Sequence, residues 1–391
     1  MSRHIILTPS LLIFAGQLLA ADQVQSPPPT LDGAVHQASQ ALRSITWGAY
    51  GEAHYTNNQN TGKDDQLDLH RLVLMLESKL ADRWRLVGEI EIEHAYVKGG
   101  TKGATDTYAN GYVAVEQGYL GWQMHPRHEL KVGMMLVPIS ITNLHHEPTV
   151  FHGVERPLFD SRIVPSTWHE IGVGVDGHIV DGLTYAVAVQ GGLAGTSFNA
   201  GNGFRDGRQK SAESSAEDLM ATARLDWKPV DGLWLAVAAN VGGVDQRNEQ
   251  EPGENGVMGS LLVAEGRWNN SGFAIGVSAA QGHINDPAAL KAGLPETFWG
   301  VNGFAAYDIL HAMALDTPDR LYVFGMAERL VNNATMPEGV DVAPKNNSRS
   351  YKVGLTYQPN TWVTFKGDYH YLRNDDGSRA DSWNLGAGFA F

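Results

Sequence analysis

The sequence contains no cysteine, so a disulfide, a thiolate metal site and a cysteine nucleophile are all excluded. Charged residues make up only 18% of the chain, and the formal net charge is −14 at pH 7. Nucleic-acid binding depends on clustered lysine and arginine side chains that contact phosphates. An acidic chain with few charges therefore argues against a nucleic-acid partner.

Long hydrophobic runs are also missing. The apolar stretch 5–15 follows a short basic end and precedes Ala20-Ala21, a pattern that predicts a secretory signal peptide over 1–21. A membrane-spanning helix needs roughly 20 apolar residues, and no later window approaches this length. The proline-rich stretch that follows predicts a periplasmic linker with a short helix over 22–44. If the chain spans a membrane, it must therefore do so as a closed β-barrel.

Alternation of apolar and polar residues is the dominant pattern after residue 44. In the stretch 362–371, Val363 and Phe365 share one face of a strand, and Lys366 and Asp368 share the other. Sixteen such segments follow one another, each about 9–12 residues long, which is the length that crosses a membrane at a tilt of roughly 45°. An even number of strands is expected of an antiparallel barrel with both ends on one side.

The connections between these segments alternate between short and long. The short ones, such as 180–182 and 359–361, consist of turn-forming residues, whereas 193–218 and 331–350 are long. Up-and-down barrels have short periplasmic turns and long outer loops, and a soluble sandwich has no reason to keep this order. We therefore predict an all-β, 16-stranded antiparallel transmembrane β-barrel over residues 45–391.

The alternation continues to the last residue, Phe391. A phenylalanine that ends a lipid-facing strand resembles the C-terminal signature of bacterial outer-membrane barrels. That resemblance implies recognition of Phe391 by the barrel assembly machinery, contact with outer-membrane lipid, and location in the bacterial outer membrane.

Three stretches, 130–138, 146–157 and 163–174, resemble the porin family that includes the phosphate-selective porins O and P. The resemblance implies a homotrimer of 16-stranded barrels in which the third outer loop folds into the pore. The third long connection here is 137–169, far beyond the roughly 12–15 residues common for a loop without a role. A trimer contact or an outer cap is the alternative role for it. The candidate constriction charges in it are Glu147, Glu155, Arg156, Asp160 and Arg162.

The strand phases predict which charged side chains line the lumen, and acids outnumber bases among them. The candidate pore-lining residues are Glu89, Glu91, Glu93, Arg71, Arg85, Lys131, Glu170, Arg224, Lys366 and Asp368. A phosphate channel would need a dense row of basic side chains, and none is visible. We expect passive diffusion of small hydrophilic solutes or ions, with weak cation preference or none. A phosphate- or anion-selective porin, or a non-conducting structural or adhesive surface barrel, are the alternatives.

Enzymatic and metal chemistry have little support in the sequence. Histidines are frequent in and beside the long connection, at His145, His146, His152 and His169, but adjacent histidines point in different directions on an extended chain. There is no His-Glu-x-x-His motif and no Gly-x-Ser-x-Gly motif. We therefore expect no catalytic residues, no metal site and no cofactor.

Overall fold

The computed structural model of the 391-residue chain describes residues 45–95, 111–245 and 256–391. The predicted signal peptide at 1–21 and linker at 22–44 lie outside the described residues. Within the three described ranges, no helix has both the length and the apolar character needed to cross a membrane.

Sixteen β-strands account for most of the described residues, and their number and order agree with the sixteen predicted segments. The strands are β1 Ile45–Gln59, β2 Gln66–Ala81, β3 Trp84–Glu93, β4 Tyr112–His125, β5 His128–Leu136, β6 His169–Val180, β7 Leu183–Gly191, β8 Leu219–Trp227, β9 Leu233–Gly243, β10 Met258–Asn270, β11 Phe273–Ile284, β12 Thr297–Asp308, β13 Arg320–Thr335, β14 Asn347–Gln358, β15 Val363–Asn374 and β16 Asp381–Ala390.

The helices are short and lie in the connections. The α-helices are α1 Ile141–Leu144, α2 Phe159–Arg162 and α3 Ile309–Ala312, and the single-turn 3-10 helices are Gly195–Ser197, Arg205–Gly207, Pro287–Ala289 and Pro344–Asn346. Asp308 begins α3 by accepting a hydrogen bond from the Leu310 backbone N–H.

Each strand pairs antiparallel with its neighbours in sequence, and β1 closes the sheet by pairing with β16. The seam extends to the last residue, because the Phe391 N–H donates to Ala49 O at 2.9 Å and Phe391 O accepts from Ala49 N at 3.0 Å. A closed sheet leaves no unpaired edge, which is the condition for strands to span lipid. The predicted 16-stranded antiparallel barrel is confirmed.

The two faces of each strand differ in polarity. On β15, Phe365 points outward with 49% of its surface exposed, whereas Lys366 and Asp368 point inward and are buried. Exposed leucine, valine and aromatic side chains cover the outside of the other strands in the same way. Exposed apolar surface on this scale is stable in lipid rather than in water.

We expect a charge on the outer face to destabilise the barrel according to its depth in the membrane. Val353 lies near the middle of β14 and is 59% exposed. Val353→Arg should lower the free energy of unfolding by about 2–4 kcal/mol, because arginine at the bilayer midplane is poorly solvated. The measurement is denaturant unfolding in lipid vesicles. The matched control is Val342→Arg, since Val342 is similarly exposed but lies in the connection 336–346; equal losses would contradict a lipid-facing β14.

Two β-bulges change the strand phase where the sequence has consecutive polar residues. Between β1 and β2, Glu52 pairs with Arg71 and Ala53 with Leu69, which leaves His70 as an extra residue. Between β3 and β4, the pairing skips Glu116 in the same way. A bulge places two successive side chains on one side of the sheet. His70 and Arg71 therefore both point into the lumen, as do Glu116 and the residue after it.

Candidate functional site

The connection between β5 and β6, residues 137–168, folds inside the barrel, and we call it the inner loop. Its backbone N–H groups donate to carboxylates on inward faces of distant strands. The pairs are Ile141 to Glu265 on β10 at 2.7 Å, Phe159 to Glu328 on β13 at 2.8 Å, and Val154 to Asp368 on β15 at 2.6 Å. Three acidic side chains thus hold the loop against one half of the wall.

Basic side chains hold the inner loop through its carbonyl groups. Lys352 Nζ, on β14, donates to the carbonyl oxygens of Glu155 and Arg156 at 2.9 and 3.1 Å. On β2, the Arg71 guanidinium donates to the carbonyl oxygen of His146 at 2.6 Å. Hydrogen bonds from charged groups are stronger than neutral ones. The loop is therefore attached to five strands of the barrel, β2, β10, β13, β14 and β15, rather than to one strand.

An apolar core occupies one side of the lumen. Phe159, Ile163 and Trp168 of the inner loop are almost fully buried there. They share a cluster with the connection 192–218, which we call the companion loop, and with inward residues of the wall. Other members of the cluster are Leu193, Phe198, Phe204, Leu261, Phe298 and Leu330. Burying these side chains stabilises both loops inside the barrel and leaves the rest of the cross-section for polar residues.

Glu170, predicted to line the pore, is fully buried beneath the companion loop. Its carboxylate accepts the backbone N–H groups of Gln209, Lys210 and Ser211 at 2.9, 3.2 and 3.3 Å. The structure therefore places Glu170 as an attachment point for this loop and out of contact with lumen water.

The two loops also contact each other through a serine. Ser166 of the inner loop accepts one hydrogen bond at its hydroxyl from Arg156 at 3.1 Å and one at its carbonyl from Arg208 at 2.7 Å. Both guanidinium groups are thereby brought to the same part of the lumen.

Strands β3 and β4 form an acidic wall. Glu89, Glu91 and Glu116 are buried, and Glu93 is half-buried. The Tyr50 hydroxyl donates to Glu89 Oε1 at 3.0 Å. The predicted glutamate row of β3 is present, and the bulge of β4 adds Glu116 to it.

Basic residues of the companion loop face this acidic wall. Lys210 is exposed, and its Nζ lies 5.1 Å from the centre of the Tyr112 ring on β4. Although the residue as a whole is exposed, loss of water around the Lys210 ammonium and the nearby Arg208 lower its pKa, while Glu93 and Glu91 act in the opposite direction. Basic groups of the companion loop thus lie close to the carboxylates of the acidic wall.

The five candidate constriction charges differ in their access to water. Glu155 is the most exposed, with 48% of its side chain accessible, and pairs with His54 at 2.8 Å. Arg156, Arg162 and Glu147 are half-buried. Asp160 is buried, and burial together with the Glu265 carboxylate raises its pKa to about 7. Within this set, Glu155 and Arg156 are the two residues whose charged groups are held by side-chain partners, His54 and Ser166, and remain accessible to water.

Four of the remaining candidate pore-lining residues form ion pairs with their neighbours on the wall. Their contacts are Arg71 with Glu52 at 2.6 Å, Arg85 with Glu129 at 2.6 Å, Lys131 with Asp176 at 2.6 Å, and Arg224 with Asp226 at 2.7 Å and Glu265 at 3.2 Å. Lys366 Nζ lies 3.6 Å from the centre of the Phe151 ring.

A cavity of about 600 Å³ opens at the short-turn ends of β4–β8, with Lys131, Asp176 and Arg224 among its lining residues.

Several residues of the lumen are not among these candidates, and strand phase alone misplaces two of them, His70 and Glu116. Tyr50, His54, His70, Glu116 and His146 all point inward and contact one another or the inner loop. For His70 and Glu116 the sequence does carry a signal, since each begins a pair of consecutive polar residues within an otherwise alternating strand. Two polar residues in succession are typical of a bulge that points both inward.

No family model matches the sequence. An uncharacterized protein of Aquifex aeolicus (strain VF5) is 29% identical over 377 residues, which cover 92% of this chain and 82% of that protein. The relationship extends over nearly the whole chain and brings no described activity with it.

Solved outer-membrane proteins share the fold. The outer-membrane channel DcaP of Acinetobacter baumannii is 13% identical, with a TM-score of 0.53 over 89% of this chain and 97% of that one. The trimer form of OmpT, an outer-membrane protein of Vibrio cholerae, is 11% identical, with a TM-score of 0.54 over 89% of this chain and 99% of that one. The predicted outer-membrane location agrees with this fold, since closed barrels with apolar exteriors span that membrane.

Proposed function

We propose that this chain is an outer-membrane porin that allows small hydrophilic solutes or ions to diffuse passively through the barrel. The observation that carries the proposal is the inner loop, which is attached inside a closed 16-stranded wall by charged side chains of at least five strands. A barrel of this size without such a loop would leave a wide aqueous channel. The loop narrows the lumen beside the acidic wall.

We infer that the narrowest passage lies between the acidic wall and the basic groups of the two loops. Glu93 on one side and Arg156 and Lys210 on the other carry charges that water can reach. Mixed charges orient polar solutes without strong preference for one sign of ion. This arrangement favours weak cation preference or none over the phosphate selectivity implied by the family resemblance.

A trimer and assembly through Phe391 complete the proposal. The trimer form of OmpT has the same fold, which supports a homotrimer for this chain. Phe391 is 64% exposed on the outer face next to the seam, where an assembly factor could reach it before the barrel closes. No catalytic step is needed for diffusion, so the proposed activity requires no cofactor.

Conductance of the pure protein tests this function. We expect purified protein in a planar lipid bilayer to produce stepwise, ohmic current increases in KCl, because a polar lumen conducts without an energy source. Protein inserted to the same density without current steps would instead support the structural or adhesive surface barrel. Insertion is checked by protection of the barrel from protease in vesicles.

A further inference from the structure

Three histidines on or directly after three neighbouring strands lie in a row on the lumen wall, at the end of the barrel that carries the long connections. The rings of His54 on β1 and His70 on β2 stack with centroids 4.7 Å apart. The ring of His94, directly after β3, meets His70 edge-on at 5.4 Å. The bulge in β2 creates the row, because without it His70 would point away from the lumen.

A carboxylate lies between the second and third histidines. Asp68 Oδ2 is 2.8 Å from His94 Nδ1 and 3.3 Å from His70 Nδ1. One ligand atom from each of these three residues lies within 4.8 Å of the others. A tetrahedral zinc ion at about 2.0–2.2 Å from its ligands holds them roughly 3.3–3.5 Å apart, so small side-chain rotations suffice to close the set.

The backbone directs His94 toward this position. His94 has a φ of +54°, which is uncommon for a residue other than glycine, and its N–H donates to His70 O at 3.0 Å. A conformation of this kind persists where the surrounding structure fixes it. The hydrogen bond ties the third histidine to the second and keeps both beside Asp68.

Access to water distinguishes this group from two others. The side chains of Asp68, His70 and His94 are 29%, 17% and 38% exposed, so a hydrated ion can reach them. The group of Glu89, Glu116 and His146 is fully buried. His54 already has Glu155 at 2.8 Å and Glu52 at 3.2 Å from its two ring nitrogens, so both nitrogens face carboxylate acceptors and neither is directed at a metal position.

We propose that Asp68, His70 and His94 form a binding site for a divalent transition-metal ion such as Zn²⁺ in the outer part of the lumen. Imidazole suits Zn²⁺, Cu²⁺ and Ni²⁺, whereas Mg²⁺ and Ca²⁺ prefer oxygen ligands. Two imidazoles and one carboxylate leave a fourth position for water, as in zinc sites that exchange a ligand. An ion can therefore bind from the lumen and leave it again.

Calorimetric titration of tag-free, chelator-treated protein in detergent with ZnCl₂ tests the site, and MgCl₂ is the comparison. We expect one Zn²⁺ per chain, and a loss of about tenfold or more in affinity in Asp68→Asn, His70→Gln and His94→Gln. His125→Gln is the matched control, because His125 lies at the opposite end of the barrel beside His128. Co²⁺ bound to the unchanged protein should give the visible absorption of tetrahedral coordination.

Unchanged Zn²⁺ affinity in His70→Gln or His94→Gln would overturn the site, as would equal binding of Mg²⁺ and Zn²⁺. His94→Gln keeps the test valid if the strand variants fold poorly, because His94 lies outside the strands. Metal binding does not depend on conduction, so a failure of the site and a failure of the proposed porin function are observed separately.

Discussion

Loss of the wall contacts that hold residues 154–156 of the inner loop is expected to raise the single-channel conductance at least about twofold, because this part of the loop then moves away from the passage. The variant is Lys352→Met with Asp368→Ala. Together these side chains accept or donate three hydrogen bonds with the backbone of residues 154–156. Hydrogen bonds to charged groups contribute about 1.5–3 kcal/mol each, so their loss should free this part of the loop.

The control for this experiment removes the same two charges elsewhere. Lys345→Met with Asp376→Ala changes exposed residues in outer connections and should leave the conductance unchanged. Because the chain has no cysteine, Val150→Cys supplies a single position for a spin label on the inner loop. A label that becomes mobile while the conductance stays constant would show that the loop does not set the pore size.

Neutral replacements on the two sides of the lumen are expected to shift ion selectivity in opposite directions. A unit charge about 5 Å from a passing ion contributes about 0.8 kcal/mol in water, which corresponds to roughly a fourfold change in ion occupancy. Because the occupancies of K⁺ and Cl⁻ change in opposite directions, Glu93→Gln should lower the K⁺/Cl⁻ permeability ratio by up to about 16-fold, and Arg156→Gln should raise it by a similar factor. Reversal potentials across a KCl gradient measure both.

Salt concentration and an exposed control make this result specific. The shifts should be large near 0.1 M KCl and small near 1 M, because the screening length falls from about 10 Å to about 3 Å. Glu338→Gln, in the exposed connection 336–346, should have no effect. A shift of the same sign in Glu93→Gln and Arg156→Gln would contradict a passage between an acidic and a basic side.

The barrel could be predicted from the sequence because its determinant is local. A strand that separates lipid from water must alternate, and the alternation at Val363, Phe365, Lys366 and Asp368 predicts which side chains point outward. Closure follows from the same constraint, since unpaired backbone groups at a sheet edge are not stable in lipid. The even number of segments and the alternation of short and long connections then leave few other topologies.

The content of the lumen could be predicted only in part. Phase correctly directs Glu91 and Lys366 inward, but it does not reveal that Glu170 is covered by the companion loop. It also fails at His70 and Glu116, because a bulge depends on the pairing of two strands and reverses the phase within one of them.

Sequence alone therefore determined the fold of this protein, the orientation of its strands and the unusual length of the inner loop. Only the tertiary structure decided where that loop lies and which charged side chains are accessible to water. It also decided that His54, His70 and His94 lie in a row beside Asp68. The physical reason is the distance along the chain over which each effect acts. Contact with lipid or water acts on each residue separately, whereas contacts inside the lumen join residues that are far apart in sequence, such as Val154 and Asp368, 214 positions apart.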